Sequence, residues 1–276
     1  MHACRENPVS LLHHLRSGVL LALLGTSVSS AAGPSAALDA LAREAMAGTG
    51  ARGLAIAVID GGEITDLGAW GERNAAGDPL TVDTVMYGAS LTKAVVAYHV
   101  MQLVDAGRID LDRPLASDLA QPLPAYGDVE GYADWSPLAD DPRWRAVTAR
   151  HALTHRVGFA NFGFLEPDGR LRFHFDPGAR YAYSGDGYIL LQFALEQGLG
   201  LALGESTQSQ VFDPLGMTRT SLQWRADFAG NLADGWRLDG SVEPHDERSR
   251  PRAAGSMDTT LTDMARFAAA YVRGDG

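Results

Sequence analysis

Residues Met86 to Gly107 read "MYGASLTKAVVAYHVMQLVDAG", and Lys93 inside this stretch is the only lysine among 23 basic side chains. Arginine is the better carboxylate partner and stays charged at any accessible pH, whereas a crowded or buried lysine can lose its proton. A single lysine in an arginine-biased chain reads equally well as a leftover on a helix surface, so the neighbours decide. From Ala94 to Asp105 the residues Val96, Val100, Leu103 and Val104 recur at helical spacing, and Gly107 stops the run, which predicts a helix. Ser90 falls where that pattern turns helical, three residues before Lys93, so the two side chains share one helical face. At a helix N-terminus unpaired backbone N–H groups and the positive end of the macrodipole favour an alkoxide or a developing oxyanion. A serine hydroxyl is a poor nucleophile until a neighbouring base takes its proton, and a desolvated lysine can be that base or hold one in place. Ser-x-x-Lys is therefore a candidate nucleophile pair.

The rest of the chain limits what such a pair could serve. Its 276 residues can bury a substantial core as one large domain, and 46% apolar with 21% charged residues is ordinary for a globular protein. A formal charge of -11 argues against nucleic acid or an anionic membrane surface as partner. At the N-terminus Arg5, His13, His14 and Arg16 precede an apolar run, "GVLLALLGTSV" from Gly18 to Val28, followed by the small residues "SSAAG". This is the layout of a secretory signal over residues 1–32, cleaved near Ser30 to Ala32, and it predicts a secreted or periplasmic protein. The run is too short to span a membrane comfortably. The single cysteine, Cys4, lies in that leader, so the mature chain has neither a disulfide nor thiolate chemistry available.

Beyond the leader, Gly33 to Gly50 carries an apolar stripe at Leu38, Leu41, Ala45 and Met46 and reads as an amphipathic helix. "LAIAVIDGGEITDLGAWG" gives two β-like runs around Gly61-Gly62, a hairpin signal. Residues from Asp110 to Pro142 are rich in Pro, Asp and Gly and read as an irregular excursion. "TARHALTHRVGF" resumes helical character, Asp168-Gly169 marks a turn, and Gly187 to Leu199 is a second apolar helix. Thr260 with Asp263 three residues later resembles a capping box that opens a last helix. A hairpin followed mostly by helices and loops implies an α/β or α+β fold with helices packed on a sheet.

Other chemistries fail on inspection. No Gly-x-Ser-x-Gly elbow is completed at Ser184 or Ser256. His151 and His155 have zinc-like spacing, but Ala152 stands where a metalloprotease helix needs its glutamate, so capping or core histidines are the better reading. No phosphate-cradling loop precedes the lysine. Neither a metal nor any cofactor is expected, and Asp110 and Asp112 read as capping the exit of the nucleophile helix.

At this point the chain resembles the serine β-lactamase and penicillin-binding superfamily, in particular its class C β-lactamase-like branch, which also holds esterases and D-amino peptidases. The resemblance runs almost continuously from Leu38 to Gly276. It is carried by "YGASLTKAVVAYHVMQLVDAGRIDLDRPL", "TARHALTHRVGF", "FDPGARYAYSGDGYILLQ", "VFDPLGMTRTS" and "DTTLTDMARF". It implies a β-lactamase/transpeptidase-like fold over residues 33–276, an antiparallel sheet flanked by helices plus a helical region. It also implies an acyl-enzyme mechanism on a small-molecule or peptide-like ester, amide or lactam carbonyl, with Ser90 as nucleophile. The family's second motif supplies a tyrosine that exchanges protons with the serine and the leaving group; carried over, this is Tyr183 of "YSG". A phenol near pKa 10 needs a cationic neighbour to act at neutral pH, and Lys93 would be that neighbour. Tyr181 is a rival on spacing but lacks the Ser-Gly that follows Tyr183.

Two departures qualify this. Class C β-lactamases have Tyr-x-Asn, whose asparagine holds the substrate's side-chain amide, and here that substrate-binding position is Gly185. The change removes a specificity contact and leans the expected substrate away from lactams toward esters or D-amino peptides. The third motif, Lys/His-Thr/Gly-Gly, which donates the second oxyanion N–H, has no match, because His245 is followed by Asp246 and Glu247. Missing one such donor costs about a hundredfold to a thousandfold in rate. A lone hairpin is also marginal in water. The expectation is a chain truncated before its C-terminal strands, or one that folds poorly and turns over little. A catalytically impaired, acylation-only protein is the alternative to a hydrolase.

Overall fold

The computed structural model describes residues 33–275, so the expected leader and Cys4 lie outside the described residues. Helix α1 (Ala36–Thr49) opens on Ser35, whose side chain accepts the Leu38 N–H, and closes on Gly50 in the left-handed conformation. It buries Leu38 and Ala42 against Trp70, whose indole N–H donates to Asp39 at 2.8 Å. Strands β1 (Gly53–Asp60) and β2 (Glu63–Gly71) form the expected antiparallel hairpin. Gly61 and Gly62 have φ of 57° and 84°, which a two-residue turn of this hand requires.

Strand β3 (Met86–Ala89) leads into α2 (Thr92–Asp105), which starts two residues earlier than the apolar spacing indicates. The stretch from Asp110 to Pro142 is irregular as expected, yet it is anchored, with Leu123, Trp135 and Leu138 buried in the main core. Helix α3 (Ala149–Leu153) is much shorter than the helical reading of its segment. Thr148 and His151 form a capping box at its start, and the backbone turns left-handed at His155 (φ 55°).

Helix α4 (Gly185–Leu199) is buried at every position from Gly185 to Leu195, so it shows no amphipathic stripe and runs through the centre of the core. Each of its buried Leu, Ile and Phe side chains contributes about 1.5–3 kcal/mol by leaving water. Helix α5 (Leu203–Thr207) follows, then the two-residue strands β4 (Gly235–Trp236) and β5 (Val242–Glu243). Strand β6 (Met257–Thr259) precedes α6 (Leu261–Arg273), which Thr260 caps by accepting the Asp263 N–H at 3.1 Å.

Among the described residues the strands pair antiparallel in three two-stranded sheets, β1 with β2, β3 with β6 and β4 with β5. Helices α1 and α6 pack on the hairpin. Helices α2 and α4 lie in the main core with the strand pair β3–β6 at its edge. The pairing of β6 with β3 has no clear sequence signal, being three residues long and carrying a buried aspartate.

Candidate active site

The turn between β3 and α2 presents Ser90. Ala89 is left-handed at φ 43°, one of two non-glycine residues so held among the described residues, and such strain persists only where surroundings over-determine it. The surroundings are specific. Thr92 Oγ1 donates to the Ala89 carbonyl at 2.6 Å and accepts the Met257 N–H at 3.0 Å, tying the turn to β6. Gly88 fits between them because a Cβ there would come within 2.9 Å of Met257 Cε. Ser90 is exposed, and its backbone N–H finds no acceptor among the described residues.

Lys93, the second residue of α2, is 5% exposed. Its Nζ donates to Ser90 Oγ at 3.1 Å and to the Ala254 carbonyl at 2.5 Å. Since the ammonium donates to Oγ, the serine's own O–H is free to donate elsewhere. The segment carrying Ala254 is held from three sides. Gln192 of α4 donates to the Pro251 carbonyl at 3.0 Å and accepts the Ala253 N–H at 2.8 Å. Tyr87 of β3 donates to the Gly255 carbonyl at 2.6 Å, and Ser256 Oγ donates to the Leu222 carbonyl at 2.5 Å.

Tyr183 enters from the segment before α4, with its ring centroid 4.9 Å from Lys93 Nζ. Burial pushes its phenol up, but hydrogen bonding with Lys93 and Ser90 and the Lys93 charge overcome that and hold it below its ordinary value. Tyr188, whose ring lies 5.7 Å from the same Nζ, is pushed the other way, up to about 12, by burial and by the neighbouring Tyr183 charge. Environments that drive two like groups apart are what assign proton-transfer roles. Tyr181 is 65% exposed and meets His155 edge-on, so the geometry joins Tyr183 rather than Tyr181 to the serine and lysine.

Gly185 is the first residue of α4, and its N–H donates to the Asn161 carbonyl and side chain at 2.8 and 2.9 Å. The Phe162 ring stands where a side chain at 185 would project, 2.3 Å from the position of a Cβ. Phe162 in turn stacks on Phe164, with centroids 5.1 Å apart and planes at 12°.

The remaining candidates separate from this group. His151 takes the Thr148 N–H at 3.3 Å and so caps α3, and Asp112 pairs with Arg150 at 2.7 Å. Among the described residues no cluster of three or more His, Cys, Asp or Glu side chains could hold a metal ion. His245 lies 3.4 Å from the fully buried Asp258 of β6, with Arg248 at 3.6 Å from the same oxygen. Burial raises the Asp258 carboxyl, while His245 and Arg248 oppose the shift. The Arg248 guanidinium also stacks 3.7 Å over the Tyr87 ring, so this cluster braces β3 from behind. Sequence reasoning read His155 only as a capping or core histidine, and it missed Gln192 and the carbonyl of Ala254. The last two act through backbone bonds that no residue type advertises.

Residues 38–276 match the family model described as Beta-lactamase. The chain is 30% identical over 193 residues to a lovastatin esterase of Penicillium rubens, covering 60% of the chain and 48% of that protein. It is 28% identical over 284 residues to the D-alanyl-D-alanine-carboxypeptidase/endopeptidase AmpH of Escherichia coli, covering 95% and 69%. The fold matches the D-alanine carboxypeptidase AmpC of Burkholderia cenocepacia with a TM-score of 0.67 at 21% identity, over 84% of this chain and 63% of that one. The chain spans about half the length of curated relatives such as the esterase.

Proposed function

The chain belongs to the beta-lactamase family, and from that premise we propose that it is a serine hydrolase working through an acyl-enzyme at Ser90. The observation that carries this reading is the 3.1 Å contact from Lys93 Nζ to Ser90 Oγ beside a phenol held below its ordinary pKa. Ser90 Oγ attacks the carbonyl carbon while its proton passes to the Tyr183 oxygen, which Lys93 favours in its anionic form. The bond to the leaving group then breaks, the leaving group takes the proton from Tyr183, and the acyl group remains on Ser90. Water attacks the ester so formed and releases the acid and free serine. The Ser90 N–H, at the start of α2, is placed to stabilise the oxyanion.

The substrate reading leans toward esters with apolar acyl groups. Where Tyr-x-Asn members carry an amide, this chain has the Phe162 ring, itself stacked on a Phe164 that is 71% exposed. An aromatic wall favours apolar surface and leaves an amide side chain unpaired. Similarity to an esterase supports the same leaning. Export is part of the proposal on the strength of the basic, apolar and small-residue order of residues 1–32 alone.

Intact-mass measurement after exposure to a fluorophosphonate tests the nucleophile, with p-nitrophenyl butyrate and nitrocefin turnover read on the same sample. The expected result is one adduct at Ser90, with the ester turned over faster than the lactam. An adduct with no turnover of either would identify an acylation-only protein, and no adduct on folded protein would refute the proposal.

A further inference from the structure

The mechanism above uses Tyr183 but leaves open what holds it in place. The residue that bonds both neighbours of Tyr183 is His155, which lies at the end of the turn that stops α3. Its backbone carbonyl accepts the Ala182 N–H at 2.8 Å, and its ring Nδ1 accepts the Ser184 N–H at 3.1 Å. One residue thus grips the chain immediately before and immediately after Tyr183. Its ring also lies against the Tyr183 ring, with centroids 4.4 Å apart and planes at 30°. On its other sides stand Tyr188 at 5.2 Å and Tyr181 at 5.8 Å.

The backbone at 155 is left-handed, a conformation that among non-glycine residues favours Asn, Asp and His. The two left-handed non-glycine residues of the described chain are Ala89, which precedes the nucleophile, and His155, which underlies the tyrosine. An imidazole nitrogen that accepts a hydrogen bond carries no proton, so the ring's proton is on Nε2. Burial first, and then the nearby Lys93 charge, hold the His155 pKa below its ordinary value, which keeps Nδ1 an acceptor. His151, four residues earlier, has its acceptor turned to its own helix, so the shared spacing hides two different uses.

We propose that His155 is a positioning residue for the acyl-transfer site, fixing the Tyr183 phenol against Lys93 and Ser90 by taking the Ser184 N–H on Nδ1. The idea rests on the serine hydrolase reading, yet part of its test does not. Three chains discriminate: the wild type, His155→Gly, which keeps the backbone conformation without the acceptor, and His155→Asn, whose side-chain oxygen can replace Nδ1 and which tolerates the same backbone. Two quantities are read on each, the rate of Ser90 labelling by a fluorophosphonate and the ionisation of Tyr183 by NMR of ¹³Cζ-labelled tyrosine, assigned with Tyr183→Phe.

A displaced catalytic group costs about tenfold to a hundredfold in rate. His155→Gly should lose that much labelling and move the Tyr183 titration up toward its ordinary value, and His155→Asn should recover most of both. If His155→Gly labels and titrates as the wild type does, or if His155→Asn is as impaired as the glycine variant, the proposal is wrong. Should the wild type not label at all, the serine hydrolase reading fails by itself. The Tyr183 titration then still decides, a shift in His155→Gly supporting the positioning role and no shift overturning it. Circular dichroism of His155→Asn guards against reading a folding defect as a loss of position.

Discussion

The hairpin β1–β2 and the turn bearing Ser90 are both short β structures beside helices, yet they are held by different means. None of the eight residues of β1 is buried, and its register is set by a glycine turn and ladder bonds. The β3 turn is fixed by side chains that bond backbone atoms, locally from Thr92 to Ala89 and across long sequence separations from Thr92 to Met257, Tyr87 to Gly255, and Gln192 to Pro251 and Ala253. Ladder bonds tolerate side-chain change because every residue but proline can make them. Side-chain-to-backbone bonds depend on one residue type each. The contrast teaches that precision in this molecule is concentrated around Ser90, Lys93 and Tyr183, so that substitutions there should be costly in rate and those in the hairpin nearly silent.

The largest effect expected on that basis is at Lys93. Lys93→Arg keeps a cation on α2 but substitutes a planar, permanently charged group for an ammonium that contacts Ser90 Oγ and Ala254 together. Labelling of Ser90 should fall by about a hundredfold to ten-thousandfold, the range for losing a proton-transfer partner, with melting temperature little changed. The pH profile carries the sign. Because the Tyr183 phenol is held below its ordinary value, with burial opposed by Lys93 and Ser90, its base form gains with rising pH. Wild-type labelling should therefore climb and level off below about pH 10, the ordinary tyrosine value. In Lys93→Gln the same climb should move to higher pH. Full activity in Lys93→Arg would break the comparison at its strongest point.

How much of this the sequence discloses follows the same division. The hairpin, α1, α2, α4 and the Thr260 cap are legible because periodicity, glycines and capping residues act locally. The Ser-x-x-Lys spacing is local too, and the family resemblance adds Tyr183. The strand β6 is not legible, since its three buried residues gain their strand conformation only by pairing with β3, some 170 residues earlier in sequence at about the same separation as Thr92 from Met257. The left-handed turn at His155 is equally hidden. Local spacing at "TARHALTHRVGF" favours a longer helix, and what ends it is the set of bonds to Ala182 and Ser184. Phe162 escapes notice for a third reason, because its relation to Gly185 is a matter of shape rather than pattern.

A smaller effect is expected one step removed from the chemistry. Gln192 is 3% exposed and spends both ends of its amide on the segment that positions the Ala254 carbonyl. Gln192→Leu has similar volume but leaves the Ala253 N–H and Pro251 carbonyl without partners, at about 1–3 kcal/mol for buried groups so stranded. Labelling of Ser90 should fall by roughly tenfold, within the range for a displaced partner, because Lys93 Nζ loses a fixed acceptor. Denaturant melts and labelling rates measured together would sharpen the comparison. Equal stability with lost activity would place the whole effect in geometry, whereas lost stability with unchanged labelling would show that the Ala254 carbonyl does not matter to Lys93.

The smallest effect belongs to the hairpin. Val58 of β1 is 39% exposed, faces Asp66 across the ladder and precedes a register shift between Val58 and Ile59. Val58→Thr keeps the β-branch and its strand preference while exchanging a methyl for a hydroxyl. At a half-exposed site this should change stability by no more than about 0.5 kcal/mol and leave Ser90 labelling unchanged. The measurement is a thermal melt beside the labelling assay. A loss above about 2 kcal/mol, of the order that follows burying an unpaired hydroxyl, would mean that the hairpin face is covered in solution. The contrast with the β3 turn would then be one of position in the chain and not of construction. A null result would leave the hairpin as the tolerant part of the molecule, in which ladder bonds suffice because no reacting atom depends on them.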